Sequence, residues 1–74
     1  MDIAEKIRLL ADMLEVDVSE VHTGKELESF SNWDSMATLS LIALLEEHFD
    51  RSDIDGTKIR YMKTVDDVFR VMER

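Results

Sequence analysis

One segment of the chain would be apolar around most of its circumference as a helix, and it sets the strongest limit on the fold. From residue 36 to residue 45 only Thr38 and Ser40 interrupt a run of methionine, alanine, leucine and isoleucine, and the segment continues to Phe49. A helix of this kind is covered on more than one side. The sequence therefore predicts a helix over residues 36–49 with one side against other helices and another open to a partner or a cavity.

The part of the chain before this helix divides into an amphipathic stretch and a long connection. Apolar side chains recur in the amphipathic stretch at the spacing of one helical face: Ile3, Ile7, Leu10 and Leu14. This spacing predicts a first helix over about residues 2–15, with Asp2 as its N-cap. Residues 16–33 lose the periodicity, and a connection of this length usually crosses a helical bundle or carries function.

The part of the chain after residue 49 contains two shorter helical segments. Residues 50–56 predict a polar turn, and residues 58–61 predict a short third helical turn. A last helix is expected from Thr64, with Asp67 completing a loose capping box. The whole pattern predicts one all-α domain over residues 1–74, a small four-helix bundle with a long first loop and a short third helix.

Charge and composition narrow the classes of function. Acids outnumber bases 17 to 9, and the formal net charge of −8 disfavours nucleic acid and anionic membranes while favouring basic partner surfaces. Without cysteine the chain can form neither a disulfide nor a thiolate zinc site. The first residues predict no secretory signal, and no window of about 18 apolar residues predicts a membrane span. We expect a cytoplasmic monomer without membrane insertion, and the small size favours a carrier or interaction role over an enzyme.

The tripeptide Asp34-Ser35-Met36 is the most specific local feature. Asp34 can accept hydrogen bonds from the first backbone N–H groups of the following helix, which leaves Ser35 exposed at the first helical position. A phosphodiester on that hydroxyl would gain from the helix dipole and from unpaired N–H groups. An ordinary helix start uses the same residue types, so the tripeptide alone leaves both interpretations open.

The order of motifs along nearly the whole chain resembles the acyl carrier protein family, which includes the peptidyl carriers. In that family an Asp-Ser-Leu motif opens the second helix of a four-helix bundle. The matching pieces here are Leu27 and Phe30 in the long loop, Asp34-Ser35-Met36, the apolar run 39–45 with Glu46-Glu47-His48-Phe49, Ile54-Asp55, and Thr64-Val65-Asp66-Asp67-Val68.

The resemblance implies that Ser35 is converted to a 4′-phosphopantetheine ester, with Asp34 and Met36 beside it at the cofactor site. A phosphopantetheinyl transferase would load the arm, and partner enzymes of fatty-acid, polyketide or related biosynthesis would charge and process acyl thioesters on it. The protein itself would do no catalysis. The arm would supply the thiol that a chain without cysteine lacks.

Several residues depart from the common pattern and point to a specialised, freestanding carrier. Asn32 and Trp33 replace small residues before the motif, and Met36 replaces leucine. The third helix, usually acidic in the family, carries cations: Lys58, Arg60 and Lys63. The surface that we expect to contact partner enzymes comprises Trp33, Met36, Leu41, Glu46 and Glu47. The matching surface of a partner enzyme would be basic or mixed in charge. Trp33 could instead only pack the loop, and the two glutamates could be a solvated face.

The apolar surface of residues 36–45 and several adaptable methionines also predict a loosely filled core. We expect the space to lie between the second and last helices, where it could shelter an acyl chain. Leu39, Ile42 and Phe69 would then sense the cargo.

Other functions fit the residues less well. A calcium loop around Asp53, Asp55 and Gly56 would place Arg51 and Met62 at ligand positions, so we expect no metal site. A catalytic Ser35 would need a histidine, but His48 is about 20 Å along the same helix, and no oxyanion-hole signature accompanies His22. The remaining alternative is an unmodified, acidic helical adaptor that only binds a partner protein.

Overall fold

The computed structural model describes residues 2–73, which contain four α-helices and no strand. The helices are α1 (Ile3–Leu14), α2 (Ser35–Phe49), α3 (Gly56–Arg60) and α4 (Val65–Val71). Two single 3₁₀ turns, Val18–Glu20 and Leu27–Ser29, lie in the long connection between α1 and α2. The prediction of an all-α protein is therefore confirmed. None of the helices within residues 2–73 is long and apolar enough to cross a membrane.

Helix boundaries follow the capping residues of the sequence. The side chain of Asp2 accepts from the backbone N–H of Glu5 across 2.9 Å and starts α1 as predicted. Glu15 ends α1 in the left-handed conformation at a φ of 58°, and its N–H turns back to the carbonyls of Ala11 and Asp12. At α4 the capping box is complete, because Thr64 accepts from the Asp67 N–H while the Asp67 carboxylate accepts from the Thr64 N–H.

The predicted start of α3 is corrected by the structure. The helix spans Gly56–Arg60 instead of residues 58–61, because Asp55 caps it by accepting from the Lys58 N–H across 3.1 Å. Glycine is a weak helix former, so the cap and the burial of Ile59 (1% exposed) hold this short helix. α2 starts at Ser35, the first helical position that the Asp34 cap predicts and one residue before the start that the apolar run predicts.

The core is formed by apolar side chains from all four helices and from the long connection. Its fully buried members include Leu10, Leu14, Leu27, Leu41, Leu45, Phe49, Ile59, Val65, Val68 and Met72. No polar or charged residue among residues 2–73 is buried. Burial of one such leucine or phenylalanine stabilises the fold by about 1.5–3 kcal/mol relative to exposure.

Backbone hydrogen bonds fasten the long connection to the start of α4. Glu26 and Thr64 form an isolated antiparallel bridge. The N–H of Leu27 donates to the carbonyl of Lys63 and the N–H of Val65 donates to the carbonyl of Lys25, each across 2.9 Å. These bonds join the loop before α2 to the segment between α3 and α4.

A second set of hydrogen bonds joins the turn after α2 to the end of α4. The guanidinium of Arg51 donates to both carboxylate oxygens of Asp53, across 2.9 and 3.1 Å, and to the backbone carbonyls of Val71 and Glu73. The hydrogen bond from Arg51 lowers the pKa of Asp53 to about 2. Asp53 is therefore held by Arg51 in the turn before α3.

Candidate functional site

Ser35 is the first residue of α2, and its side chain is exposed. Asp34 precedes it in extended conformation, with a φ of −140°, and its Oδ1 accepts from the Ala37 N–H across 3.0 Å. The Thr38 hydroxyl donates to the carbonyl of Asp34 across 3.2 Å. The hydroxyl of Ser35 makes no hydrogen bond to any other of residues 2–73. The cap therefore fixes the backbone on both sides of Ser35 while its hydroxyl stays available.

The start of α2 is suited to an anion on this hydroxyl. Asp34 occupies the N–H of Ala37 with its side chain and the N–H of Thr38 with its carbonyl. The N–H groups of Ser35 and Met36 have no partner within the helix, as is general for the first turn. They contribute to the positive end of the helix dipole, which favours a negative group placed there.

A groove of about 970 Å³ opens beside Ser35, between α2, α3 and the loop before α2. Its apolar lining comprises Trp33, Leu39, Ile42, Ile59 and Met62. Its polar lining comprises Glu26, Glu28, Asp34, Ser35, Thr38, Asp55, Gly56, Thr57, Arg60 and Lys63. One continuous opening thus joins the exposed hydroxyl of Ser35 to an apolar surface.

The position of this groove corrects the prediction of loose packing between the second and last helices. Phe69 of α4 is 4% exposed and does not line the groove. Val65 and Val68 of α4 are likewise buried and do not line the groove. By contrast α3 is five residues long and buries Ile59 alone, so it leaves part of α2 uncovered.

The exposed apolar face of α2 differs by one residue from the predicted partner surface. Met36 is 68% exposed as expected, but Leu41 is 0% exposed and belongs to the core. A helix turns by about 100° per residue, so Leu41 lies well over a quarter turn from Met36. The residue that shares the outer face is Leu39, which is 61% exposed and which the i+3 spacing from Met36 could have identified.

The other predicted contacts lie at the two ends of α2. Trp33 is half-buried and lines the groove, so it both packs and forms a wall. Glu46 and Glu47 are exposed at the far end of the helix, around a depression of about 350 Å³ that Phe49 and Asp50 complete. A rise of 1.5 Å per residue puts Glu46 roughly 16 Å from Ser35.

Neither histidine lines the groove. His22 is exposed in the long connection and His48 lies near the end of α2. Within residues 2–73 there is no group of three or more histidine, cysteine, aspartate or glutamate side chains that could hold a metal ion. The described site comprises an exposed hydroxyl and a groove with an apolar lining.

Comparison of the chain with protein-family models, with curated proteins and with solved structures finds no match. The geometry at Ser35 and the motifs along the sequence are therefore the grounds for a functional proposal.

Proposed function

We propose that this protein is an acyl carrier with the four-helix bundle of the acyl carrier family, and that Ser35 holds a covalent 4′-phosphopantetheine arm. The observation that carries the proposal is the exposed, unbonded hydroxyl of Ser35 at the capped start of α2, where it meets the groove. An arm attached there leaves the helix cap intact, because Asp34 bonds the backbone and not Ser35. When bound, the arm supplies the thiol that forms the acyl thioester.

The residues at Ser35 suit the phosphate end of the arm. The N–H groups of Ser35 and Met36 and the helix dipole favour its negative charge. The Asp34 carboxylate is held by the Ala37 N–H across 3.0 Å, which directs one of its oxygens to the helix. Thr38, one turn further along, lines the groove beside Ser35.

The apolar lining suits an acyl chain. Leu39, Ile42 and Ile59 belong to helices α2 and α3 and line the same groove as Ser35. Each methylene group that leaves water for such a surface contributes about 0.8 kcal/mol when it is fully buried. The groove is open to solvent, so we expect partial cover of a short or medium chain.

The outer face of α2 suits the enzymes that use the carrier. Met36 and Leu39 form an apolar patch beside Ser35, and Glu46 and Glu47 form an anionic contact at the other end. A transferase or acyl-processing enzyme in the cytoplasm would bury the patch and meet the glutamates with basic side chains. The patch would contribute more affinity, because exposed charge pairs contribute about 0.2–1 kcal/mol each.

Intact mass tests the proposal directly. The apo protein is incubated with a phosphopantetheinyl transferase and coenzyme A and then weighed. Wild type should gain one arm, Ser35→Ala should gain none, and Ser40→Ala, which changes another exposed serine of α2, should behave as wild type. Attachment to the Ser35→Ala variant, or no attachment to any variant, contradicts the proposal. The latter result would favour the alternative, an unmodified adaptor that uses the Met36 and Leu39 patch alone.

A further inference from the structure

A cationic edge runs along the solvent side of α3 and the turn that follows it. We define it by Lys58, Arg60, Tyr61 and Lys63, all of which are exposed. No acid occurs from residue 56 to residue 65, although acids outnumber bases 17 to 9 in the chain. The edge therefore carries the opposite sign to the protein as a whole.

Most cations outside the edge bind other groups of the protein and so help to hold the fold. Lys6 binds Glu73 and the Phe69 carbonyl, and Arg70 binds Asp66 across 2.9 Å. Lys25 lies over the Phe30 ring, 5.4 Å from its centroid. The Arg51 guanidinium holds Asp53 and the end of α4.

The cations of the edge make few such contacts within the protein. Within residues 2–73, Arg60 and Lys63 make no ion pair, and Lys58 reaches Asp53 only at 4.0 Å with both side chains more than half exposed. An ion pair of that kind contributes little to stability. Intramolecular pairing therefore does not account for this concentration of positive charge.

Tyr61 adds an aromatic side chain to the edge. It is 77% exposed, more than any other large apolar side chain of residues 2–73, and it lies between Arg60 and Lys63 in sequence. Tyrosine and arginine are enriched at the centres of protein interfaces, where aromatic rings fill pockets and surrounding polar groups exclude water. Tyr61 beside Arg60 has the composition of such a centre, and Lys58 and Lys63 would lie at its polar rim.

We propose that the cationic edge docks an acidic patch on a partner protein, with Tyr61 entering a depression that aspartate and glutamate side chains surround. A protein can confine its acids to one patch. Nucleic acid and anionic membranes are negative throughout, so the net charge of −8 would repel them. Arg60 and Lys63 also line the groove, so a protein bound at the edge lies next to the Ser35 opening.

This inference goes beyond the carrier proposal, since it requires no arm on Ser35. It is tested by placing the photoreactive residue benzoylphenylalanine at Tyr61 and irradiating the cells that make the protein. The crosslinked partner peptide is then sequenced. We expect a protein peptide in which aspartate and glutamate outnumber lysine and arginine. Probes at Ile3 and Val18, which are each 52% exposed and lie outside the edge, should not give this product.

Charge variants provide the control. Reversal of the edge by Lys58→Glu with Arg60→Glu and Lys63→Glu should lower the crosslink yield about tenfold, as expected for three exposed charge pairs. Arg8→Glu, which reverses an exposed cation of α1, should leave the yield unchanged. Neutralisation by glutamine at the same three edge positions should give a smaller loss. Circular dichroism is recorded for each variant so that the yields compare folded proteins.

The inference would be overturned by the absence of a crosslinked protein, by a nucleic acid or lipid product, by a peptide without an excess of acids, or by a yield that the edge variants leave unchanged. The crosslink should persist in the Ser35→Ala background, where the carrier proposal predicts no arm. If Ser35→Ala abolishes the crosslink while the edge variants retain it, the partner binds the arm. That result would also overturn the inference that the edge is the docking site.

Discussion

Asn32 donates a hydrogen bond from its Nδ2 to the backbone carbonyl of Leu14, across 2.8 Å. Leu14 is the last residue of α1, where carbonyl groups have no partner within the helix. The bond therefore satisfies a carbonyl at the helix end. It also joins the loop that leads to Ser35 to α1.

Asn32→Ala should lower the free energy of unfolding by about 1 kcal/mol, because the donor is lost and the Leu14 carbonyl is left to water. Urea unfolding followed by circular dichroism measures the change. Ser31→Ala, at the neighbouring exposed position, is the matched control and should stay within error of wild type. Equal midpoints for Asn32→Ala and Ser31→Ala would show that the bond does not stabilise the loop.

Partner recognition should divide between an apolar contact and a charged one. Met36→Ala or Leu39→Ala should weaken binding of the phosphopantetheinyl transferase at every salt concentration, since each removes an exposed apolar side chain beside Ser35. Glu46→Lys with Glu47→Lys should slow association at low salt and have little effect at high salt. Stopped-flow kinetics separate the two. Glu5→Lys with Asp12→Lys, at two exposed positions of α1, gives the same change of net charge and is the control. A reversal at Glu46 and Glu47 that abolishes binding at every salt concentration would contradict this division.

A medium-length acyl group on the arm should raise the melting temperature above that of the holo protein. The reason is that the groove between α2 and α3 exists only in the folded state, and a ligand bound to that state alone stabilises it. The shifts in NMR spectra should occur at Leu39, Ile42 and Ile59, which line the groove, and not at Phe69. Ile42→Ser should reduce the gain in melting temperature. Identical melting of the holo and acyl forms would show that the cargo stays outside.

The stability of α4 should depend on pH through Asp67. Its carboxylate accepts from the backbone N–H groups of Lys63, across 2.8 Å, and Thr64, across 3.1 Å, and these bonds hold its pKa below the ordinary value of 3.8. Since the unfolded chain then binds the proton more tightly, the contribution is present above the ordinary pKa and is lost as pH falls through the lowered one.

Asp67→Asn should therefore unfold more readily than wild type at neutral pH, and the difference should shrink as the pH falls below 3.8. Urea midpoints across this range measure it. Ser40→Ala, which changes no titratable group, should keep a constant offset from wild type. A constant offset for Asp67→Asn as well would show that its charge does not stabilise the cap.

The helix starts were predictable because capping is local chemistry. Asp2 and Thr64 with Asp67 were identified from the few residues around them, and each makes the expected bonds. The same reasoning, applied to Asp34 alone, predicted that Ser35 is exposed at the first position of α2. The start of α3 was missed because Gly56 weakens the local helical signal, whereas burial of Ile59 depends on the rest of the core.

Which side of α2 stays exposed could not be read from its composition. Most residues from Ser35 to Leu45 are apolar, so the pattern indicates that more than one side is covered without showing which neighbours cover it. Leu41 is 0% exposed and belongs to the core, whereas Leu39 is 61% exposed and lines the groove between α2 and α3. The groove follows from the length of α3, which only the folded arrangement gives.

Trp33 is the only tryptophan of the chain, and it stands half-buried in the wall of the groove next to the Asp34 cap. Indole emission moves to longer wavelengths as water reaches the ring. The protein thus contains an intrinsic fluorophore at the place where any group on Ser35 enters or leaves the groove. Occupancy of the groove can be followed optically in the unlabelled wild-type chain.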